Sequence, residues 1–104
     1  MRVLICFDVD GTLESSNGPV TVAKMRRLQE LGATVVIVSP SGASPNRTMG
    51  TDFPEHVNGA ARSLNLLAAA SEFPSDLLLY VSDNGDMTEA EAAGFTYVDR
   101  FQFR

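Results

Sequence analysis

The sequence is poor in cysteine, in basic residues and in long apolar runs, and each shortage excludes a class of protein. Cys6 is the only cysteine, so no disulfide forms within the chain. No stretch approaches the ~20 apolar residues of a membrane span. Lys and Arg total 8 against 13 Asp and Glu, and the net charge of −5 argues against a nucleic-acid or anionic-membrane surface. We therefore expect a cytoplasmic protein.

The remaining composition is that of an ordinary globular protein. Apolar residues make up 44% of the 104 residues and charged residues 20%, a balance that argues against disorder. A chain of this length fits one domain with one core. We expect a single domain over residues 1–104.

Four short apolar runs mark the predicted strands, at residues 3–7, 34–38, 77–81 and 95–98. The first three are almost wholly apolar, which is typical of strands buried on both faces of a parallel sheet. Cys6 lies in the first run, where burial is expected. The Ser-, Gly- and Pro-rich stretch 39–58 is predicted to be a long loop with a short strand near residues 55–57, and His56 is interpreted as a loop residue.

Helical segments are predicted between these strands. Residues 21–31 are apolar at every third position from residue 22 and are followed by Gly32, a C-terminal cap. Residues 60–70 present Ala60, Leu64 and Leu67 on one face, and residues 87–93 form a shorter helix. This alternation predicts an α/β domain, a three-layer Rossmann-like fold with a small parallel sheet.

Acidic residues follow two of the predicted strands. Asp8 and Asp10 come after the first strand, where Gly11 permits a sharp turn. Asp83 and Asp86 come after the third. In open α/β sheets, ligands bind at the carboxyl ends of the strands. If these two strands are neighbours, up to four carboxylates converge on one spot.

Such a cluster needs a cation, because two unit charges ~4 Å apart repel by about 4 kcal/mol at an effective dielectric of about 20. Mg²⁺ suits a site that has few carboxylates and a phosphate to bind. Asp8, Asp10, Asp83 and Asp86 are therefore the candidate metal ligands. Asp86 has a second interpretation, because Asp86 and Glu89 have the spacing of a helix capping box, and the two roles are compatible.

Three segments resemble motifs of the haloacid dehalogenase-like superfamily, in the family's order. Residues 8–12 (DVDGT) resemble its first motif, and residues 35–39 (VVIVS) resemble its second, an apolar strand that ends in Ser or Thr. Residues 80–83 (YVSD) and the Ala-rich segment 86–94 resemble its acidic fourth motif and the helix after it. The resemblance spans nearly the whole chain. It implies a magnesium-dependent phosphatase, an enzyme that hydrolyses phosphoric monoesters.

The resemblance also implies roles for individual residues. Asp8 attacks phosphorus and forms an aspartyl-phosphate. Asp10 protonates the leaving oxygen and then deprotonates the attacking water. Ser39 hydrogen-bonds the phosphoryl group, and Asp83 holds Mg²⁺ together with Asp8 and the backbone carbonyl of Asp10.

The family's third motif is a Lys or Arg at the start of the helix before the acidic strand. We expect Arg62 to fill this role, because a helix start that carries an Arg is a good anion site. Arg47, in the predicted loop, is the alternative. The sequence departs from the family's pattern at Ser82, where Gly is common, at Pro40, and in the spacing of the two acidic residues of the fourth motif, which is one residue short.

No cap domain fits between these motifs, because only short segments separate Asp10 and Ser39 from the helices that follow them. An open site suits a phosphorylated substrate that is bulky or macromolecular, or a site covered by a neighbouring subunit of a homo-oligomer. Two other interpretations stay open. One is a receiver-like phospho-acceptor, which shares a strand-end Asp and Mg²⁺ but lacks the DVDGT pattern. The other is a degenerate family member that binds without catalysis.

Overall fold

A five-stranded parallel sheet with helices on both faces is the framework of the computed structural model, which describes residues 1–40 and 43–103. The strands are β1 (Val3–Phe7), β2 (Thr34–Val38), β3 (Glu55–His56), β4 (Leu77–Ser82) and β5 (Thr96–Asp99). Their order in the sheet is β3-β2-β1-β4-β5, and every neighbouring pair is parallel. The predicted α/β class with a parallel sheet is confirmed.

Among the described residues, four α-helices and three short 3-10 turns lie between and after the strands. The helices are α1 (Val22–Glu30), α2 (Pro45–Met49), α3 (Arg62–Glu72) and α4 (Met87–Ala92), and the 3-10 turns are Glu14–Ser16, Asn84–Asp86 and Arg100–Phe103. The Thr21 side chain caps α1 by accepting a hydrogen bond from Lys24 N at 3.1 Å. Gly32 follows the helix with φ +100°, as predicted for a C-terminal cap. Within the described ranges, no helix is long and apolar enough to cross a membrane.

The central strands contribute side chains to two cores, one on each face of the sheet. Leu4 and Cys6 belong to the core beneath α3 and α4, whereas Ile5 and Phe7 belong to the core that includes Met25 of α1. Each large side chain that is fully buried contributes about 1.5–3 kcal/mol. The predicted burial of Cys6 is confirmed, and burial raises the pKa of its thiol above the ordinary value.

The structure corrects the predicted face of α3. Leu64 and Leu67, which were expected to point inward, are 59% and 50% exposed. The helix begins at Arg62 and turns a different side toward the sheet, with buried residues Asn65, Leu66 and Ala69. A polar contact accompanies this orientation: Asn65 Nδ2 donates to the Ser39 carbonyl at 3.1 Å, and an unpaired buried amide would be costly.

The stretch 39–58 contains more structure than the predicted loop. Pro45 is the first residue of α2, a position where its missing N–H has no partner to lose. The Asn46 side chain donates to Phe53 O at 2.6 Å and accepts from Phe53 N at 3.0 Å, which ties α2 to the segment after it. β3 confirms the short strand. His56 lies in β3 rather than in a loop, 3.1 Å from Glu72.

The strand order reverses between β1 and β4. The chain runs outward from β1 through β2 to β3, and then crosses to β4 and β5 on the other side. Asp8 N donates to Val81 O at 3.0 Å, which extends the β1–β4 pairing by one residue beyond Phe7. The two strands are thus neighbours, and Asp8 and Ser82 emerge side by side. Parallel sheets bind ligands at such a switch point.

Candidate active site

Asp8 is the first residue after β1, and it is 4% exposed. Ser82 Oγ lies 3.4 Å from Asp8 Oδ2. Asp8 Oδ1 is buried and has no hydrogen-bond partner in the part of the chain that the structure describes, although Arg62 Nη2 lies 3.6 Å away. Burial of a carboxylate oxygen without a hydrogen-bond partner costs free energy. This oxygen is therefore suited to bind a cation or to attack an electrophile.

The environment of Asp8 makes its carboxylate more basic than usual. Burial raises the pKa of Asp8 from 3.8 to about 6, and the negative charge of Asp86 adds to the rise. The positive charge of Arg62 and a hydrogen bond from the Val9 N–H act in the opposite direction on this pKa. With a pKa of about 6, the carboxylate is mostly ionised at pH 7, which is the form that a nucleophile requires.

Arg62 lies at the centre of a network of charges. Its Nη1 is 2.9 Å from Asp86 Oδ1 and 3.0 Å from Glu89 Oε1, and its Nε donates to the Tyr80 hydroxyl at 2.9 Å. Burial opposes the charge of Arg62, but Tyr80, Asp8 and Asp86 around it raise the pKa of the guanidinium above its ordinary value. Arg62 is therefore a permanent cation beside Asp8.

The two candidate cations for the phosphate lie in different places. Arg62 is the first residue of α3, and 15% of its side chain is exposed. Arg47 is exposed on α2, and it makes no ion pair with any described residue. A cation at a helix start opposes the macrodipole by about 0.3–1 kcal/mol, and the carboxylates around Arg62 offset this cost. The structure thus brings Arg62, and not Arg47, to Asp8.

Asp86 occupies the N-cap position of α4, but its side chain makes no capping hydrogen bond. The capping-box interpretation is therefore wrong for these side chains. Oδ1 of Asp86 pairs with Arg62, and Oδ2 accepts a hydrogen bond from Ser82 Oγ. Glu89, the other member of the expected box, also pairs with Arg62. Ion pairing with the largely buried Arg62 guanidinium is favoured over capping, because the first N–H groups of a helix can hydrogen-bond to water instead.

Ser82 is a site residue that the sequence analysis recorded only as a departure from a family pattern. Its hydroxyl contacts both Asp8 Oδ2 and Asp86 Oδ2, so it joins the ends of β1 and β4. A glycine at this position would offer no such bridge. The departure from Gly was therefore the signal that could have identified it.

Two buried polar side chains hold the network on the sheet. The Tyr80 hydroxyl accepts from Arg62 Nε and donates to Val38 O at 3.2 Å. Asn65 Nδ2 donates to Ser39 O at 3.1 Å. Burial raises the pKa of Tyr80 above its ordinary value, so its phenol remains a donor. Neither residue was predicted to belong to the site, although a Tyr within an apolar strand and an Asn on a helix face were visible signals.

Three predicted site residues lie around this network. Ser39 is 2% exposed and follows β2 directly. Asp10 is exposed, next to Gly11, which adopts φ +71°. Asp83 is half-buried, and its Oδ1 accepts a hydrogen bond from Gly85 N at 3.0 Å. Across residues 1–40 and 43–103, neither Asp10 nor Asp83 is in contact with the Arg62 guanidinium.

The turn that carries Asp10 is braced from two sides. Arg100 Nη1 donates to the Gly11 carbonyl. Gly18 packs so tightly that an added Cβ would lie 2.1 Å from the carbonyl carbon of Thr12. No residue with a side chain fits there without a shift of the backbone. The position of Asp10 relative to the strand ends is therefore well defined.

The fit of this site to magnesium rests on Asp8. Among the described residues, no group of three or more His, Cys, Asp or Glu side chains is placed to hold a metal ion, so the predicted convergence of four carboxylates is not present there. The buried Asp8 Oδ1 without a hydrogen-bond partner does fit a hard cation. Mg²⁺ needs only one or two carboxylates when a phosphate and waters complete its shell.

Comparison of the chain with known proteins identifies no relative. No protein-family model, no curated protein and no solved structure matches it. The geometry around Asp8 is therefore what supports a function.

Proposed function

We propose that this protein is a magnesium-dependent phosphatase of the haloacid dehalogenase-like type that hydrolyses phosphoric monoesters with Asp8 as the nucleophile. The observation that carries the proposal is the position of Asp8, buried at the switch point of the sheet beside the Arg62 cation. A basic, partly unsatisfied carboxylate next to a fixed positive charge is suited to attack a phosphoryl group and to tolerate its negative oxygens.

The reaction proceeds in two displacements at phosphorus. First, an Asp8 carboxylate oxygen bonds to phosphorus while the bond to the ester oxygen breaks, and protonated Asp10 gives its proton to that leaving oxygen. Asp10 then takes a proton from water as the water oxygen attacks phosphorus, and the bond to Asp8 breaks. The net change converts the monoester and water into an alcohol and inorganic phosphate.

The remaining residues bind and position the phosphoryl group. Arg62 faces Asp8 and neutralises phosphoryl charge, and Ser39 at the end of β2 donates a hydrogen bond to it. Bound Mg²⁺ supplies further charge neutralisation at the phosphoryl oxygens, and Asp8 and Asp83 are the residues that would hold it. Asp86 positions Arg62 and Ser82 rather than binding the metal, because these two residues contact its two carboxylate oxygens.

Hydrolysis of an aryl phosphate tests this proposal. We expect turnover with Mg²⁺, none in excess chelator, and none from the Asp8→Asn variant in either condition, because an amide is a poor nucleophile. Asp52→Asn is the matched control, since Asp52 is an exposed carboxylate that pairs with Arg26 outside the site. Undiminished turnover without divalent metal would contradict the metal assignment. Near-normal turnover by Asp8→Asn would exclude Asp8 as the nucleophile.

A further inference from the structure

A small cavity of about 160 Å³ lies beside Asp10. One wall comes from the turn after β1 and the other from α2 and the residues just before it. Four residues that carry hydroxyl groups line this cavity, Ser15, Ser16, Ser44 and Thr48. In the described part of the chain, none of the four makes a side-chain hydrogen bond, so each is available to a bound molecule.

The charge of the cavity excludes one class of ligand. Among the described residues that line it, Asp10 is the only ionisable one and none is a cation, and the chain as a whole has a net charge of −5. A second phosphate or a carboxylate on the ligand would have no compensating cation there, whether Asp10 is protonated or ionised. An anionic group is therefore disfavoured in this cavity.

The shape of the cavity excludes another class. None of the described residues that line it is aromatic, so they offer no surface on which a nucleobase would stack. Its volume is well below the ~300 Å³ at which pockets for drug-sized ligands begin. Val9 and Pro45, which are largely buried, supply an apolar surface between the hydroxyl groups. Hydroxyl groups around a small apolar surface match the alternating C–H and O–H groups of a polyol.

We infer that this cavity binds the alcohol portion of the substrate, and that this alcohol is a small, neutral polyol or a single sugar unit. The inference rests on the proposed function, because it uses Asp10 as the acid that protonates the leaving oxygen. Such an acid must lie within hydrogen-bond distance of that oxygen. Since Asp10 lines the cavity, the carbon chain attached to the leaving oxygen enters it.

Substrate comparison is the first test. With Mg²⁺ present, kcat/KM is measured for glycerol phosphate and sorbitol phosphate, for a sugar bisphosphate, for uridine monophosphate and for an aryl phosphate. We expect the polyol monophosphates to exceed the bisphosphate and the nucleotide by at least roughly tenfold, because the second phosphate of the bisphosphate finds no cation in the cavity, and the nucleobase is too large for it and finds no aromatic surface there. Hydrolysis of the aryl phosphate without any preference for polyols would overturn this inference and leave the proposed function standing. Absence of hydrolysis with every ester would overturn both.

A pair of isosteric variants tests the cavity itself. Thr48→Val removes one lining hydroxyl, and the ratio of kcat/KM for sorbitol phosphate to that for the aryl phosphate should fall roughly threefold to tenfold. Thr96→Val is the matched control, because Thr96 is exposed and is the first residue of β5, at the end of the strand away from the site. This variant should leave the ratio unchanged. An unchanged ratio in Thr48→Val, or an equal fall in both variants, would contradict the inference.

Discussion

Arg62 Nη2 lies 3.6 Å from Asp8 Oδ1, and this pair joins the start of α3 to the end of β1. Each group changes the titration of the other, since Arg62 lowers the pKa of Asp8 and Asp8 raises the pKa of Arg62. Only 15% and 5% of the two side chains are exposed. Because the pair is largely shielded from water, removal of one partner leaves a charge that solvent screens poorly.

We expect Arg62→Gln to lower the free energy of unfolding by about 3–5 kcal/mol at neutral pH, because Asp8 and Asp86 would lose their shared cation. Urea unfolding measures this change. Arg47→Gln is the matched control, since Arg47 is exposed on α2, and it should change the free energy by no more than about 0.5 kcal/mol. Equal effects of the two substitutions would show that the guanidinium of Arg62 does not stabilise the site.

The raised pKa of Asp8 predicts a stability that depends on pH. Folding raises this pKa from 3.8 to about 6, so the folded state binds the proton more tightly than the unfolded state does. The resulting stability is fully present below about pH 4 and is lost as pH rises to about 6 and beyond, by on the order of 2–3 kcal/mol.

Comparison with Asp8→Asn isolates this effect. The variant has no carboxylate to desolvate, so its free energy of unfolding should exceed that of the wild type above about pH 6 and approach it in acid. Urea unfolding between about pH 4 and pH 8 provides the two curves. Asp52→Asn should show the opposite sign, because a hydrogen bond from Arg26 lowers the pKa of Asp52. Parallel curves for wild type and Asp8→Asn would be inconsistent with a raised pKa.

Tyr80→Phe should destabilise the protein and weaken phosphate binding. The substitution leaves Arg62 Nε and Val38 O without their partner, at a cost of about 1–3 kcal/mol. The freed Arg62 side chain should also raise the inhibition constant of inorganic phosphate. Thermal unfolding and inhibition assays measure the two effects. Tyr97→Phe is the control, because Tyr97 is more exposed than Tyr80 and its hydroxyl donates to Ser82 O. Equal changes in phosphate inhibition would contradict a positioning role for Tyr80.

Asp10→Asn should slow breakdown of the aspartyl-phosphate by roughly 10²–10⁴-fold, the usual effect of losing a general acid–base group. Formation from an aryl phosphate should slow much less, because that leaving group needs little protonation. The phosphorylated protein should therefore accumulate in the variant, and intact mass spectrometry after mixing detects it. A long-lived adduct on the wild type, without repeated turnover, would indicate a receiver-like phospho-acceptor instead.

Local patterns in the sequence were sufficient to predict the central strands of the sheet. Buried strands of a parallel sheet need apolar residues on both faces, so the runs at residues 3–7, 34–38 and 77–81 identified β1, β2 and β4 without any tertiary information. The place of Asp8 at a strand end followed from the same runs. The short α2 was missed because five residues give too little periodicity to recognise a helix.

The contacts across the sheet could be read only from the folded chain. Asp86 has the spacing of a helix cap in the sequence, but in the structure it pairs with Arg62, which comes from a different helix. Likewise, Leu64 lies on the apolar face that periodicity indicates, yet it is exposed, whereas its neighbour Asn65 is buried and bonds to Ser39 O. The periodicity of apolar residues reflects only which local structure, helix or strand, a segment prefers. Pairing between polar groups that are distant in the sequence depends on strand order and helix rotation. A buried charge or amide needs a partner, and only the folded structure determines which polar groups lie close enough to pair with it.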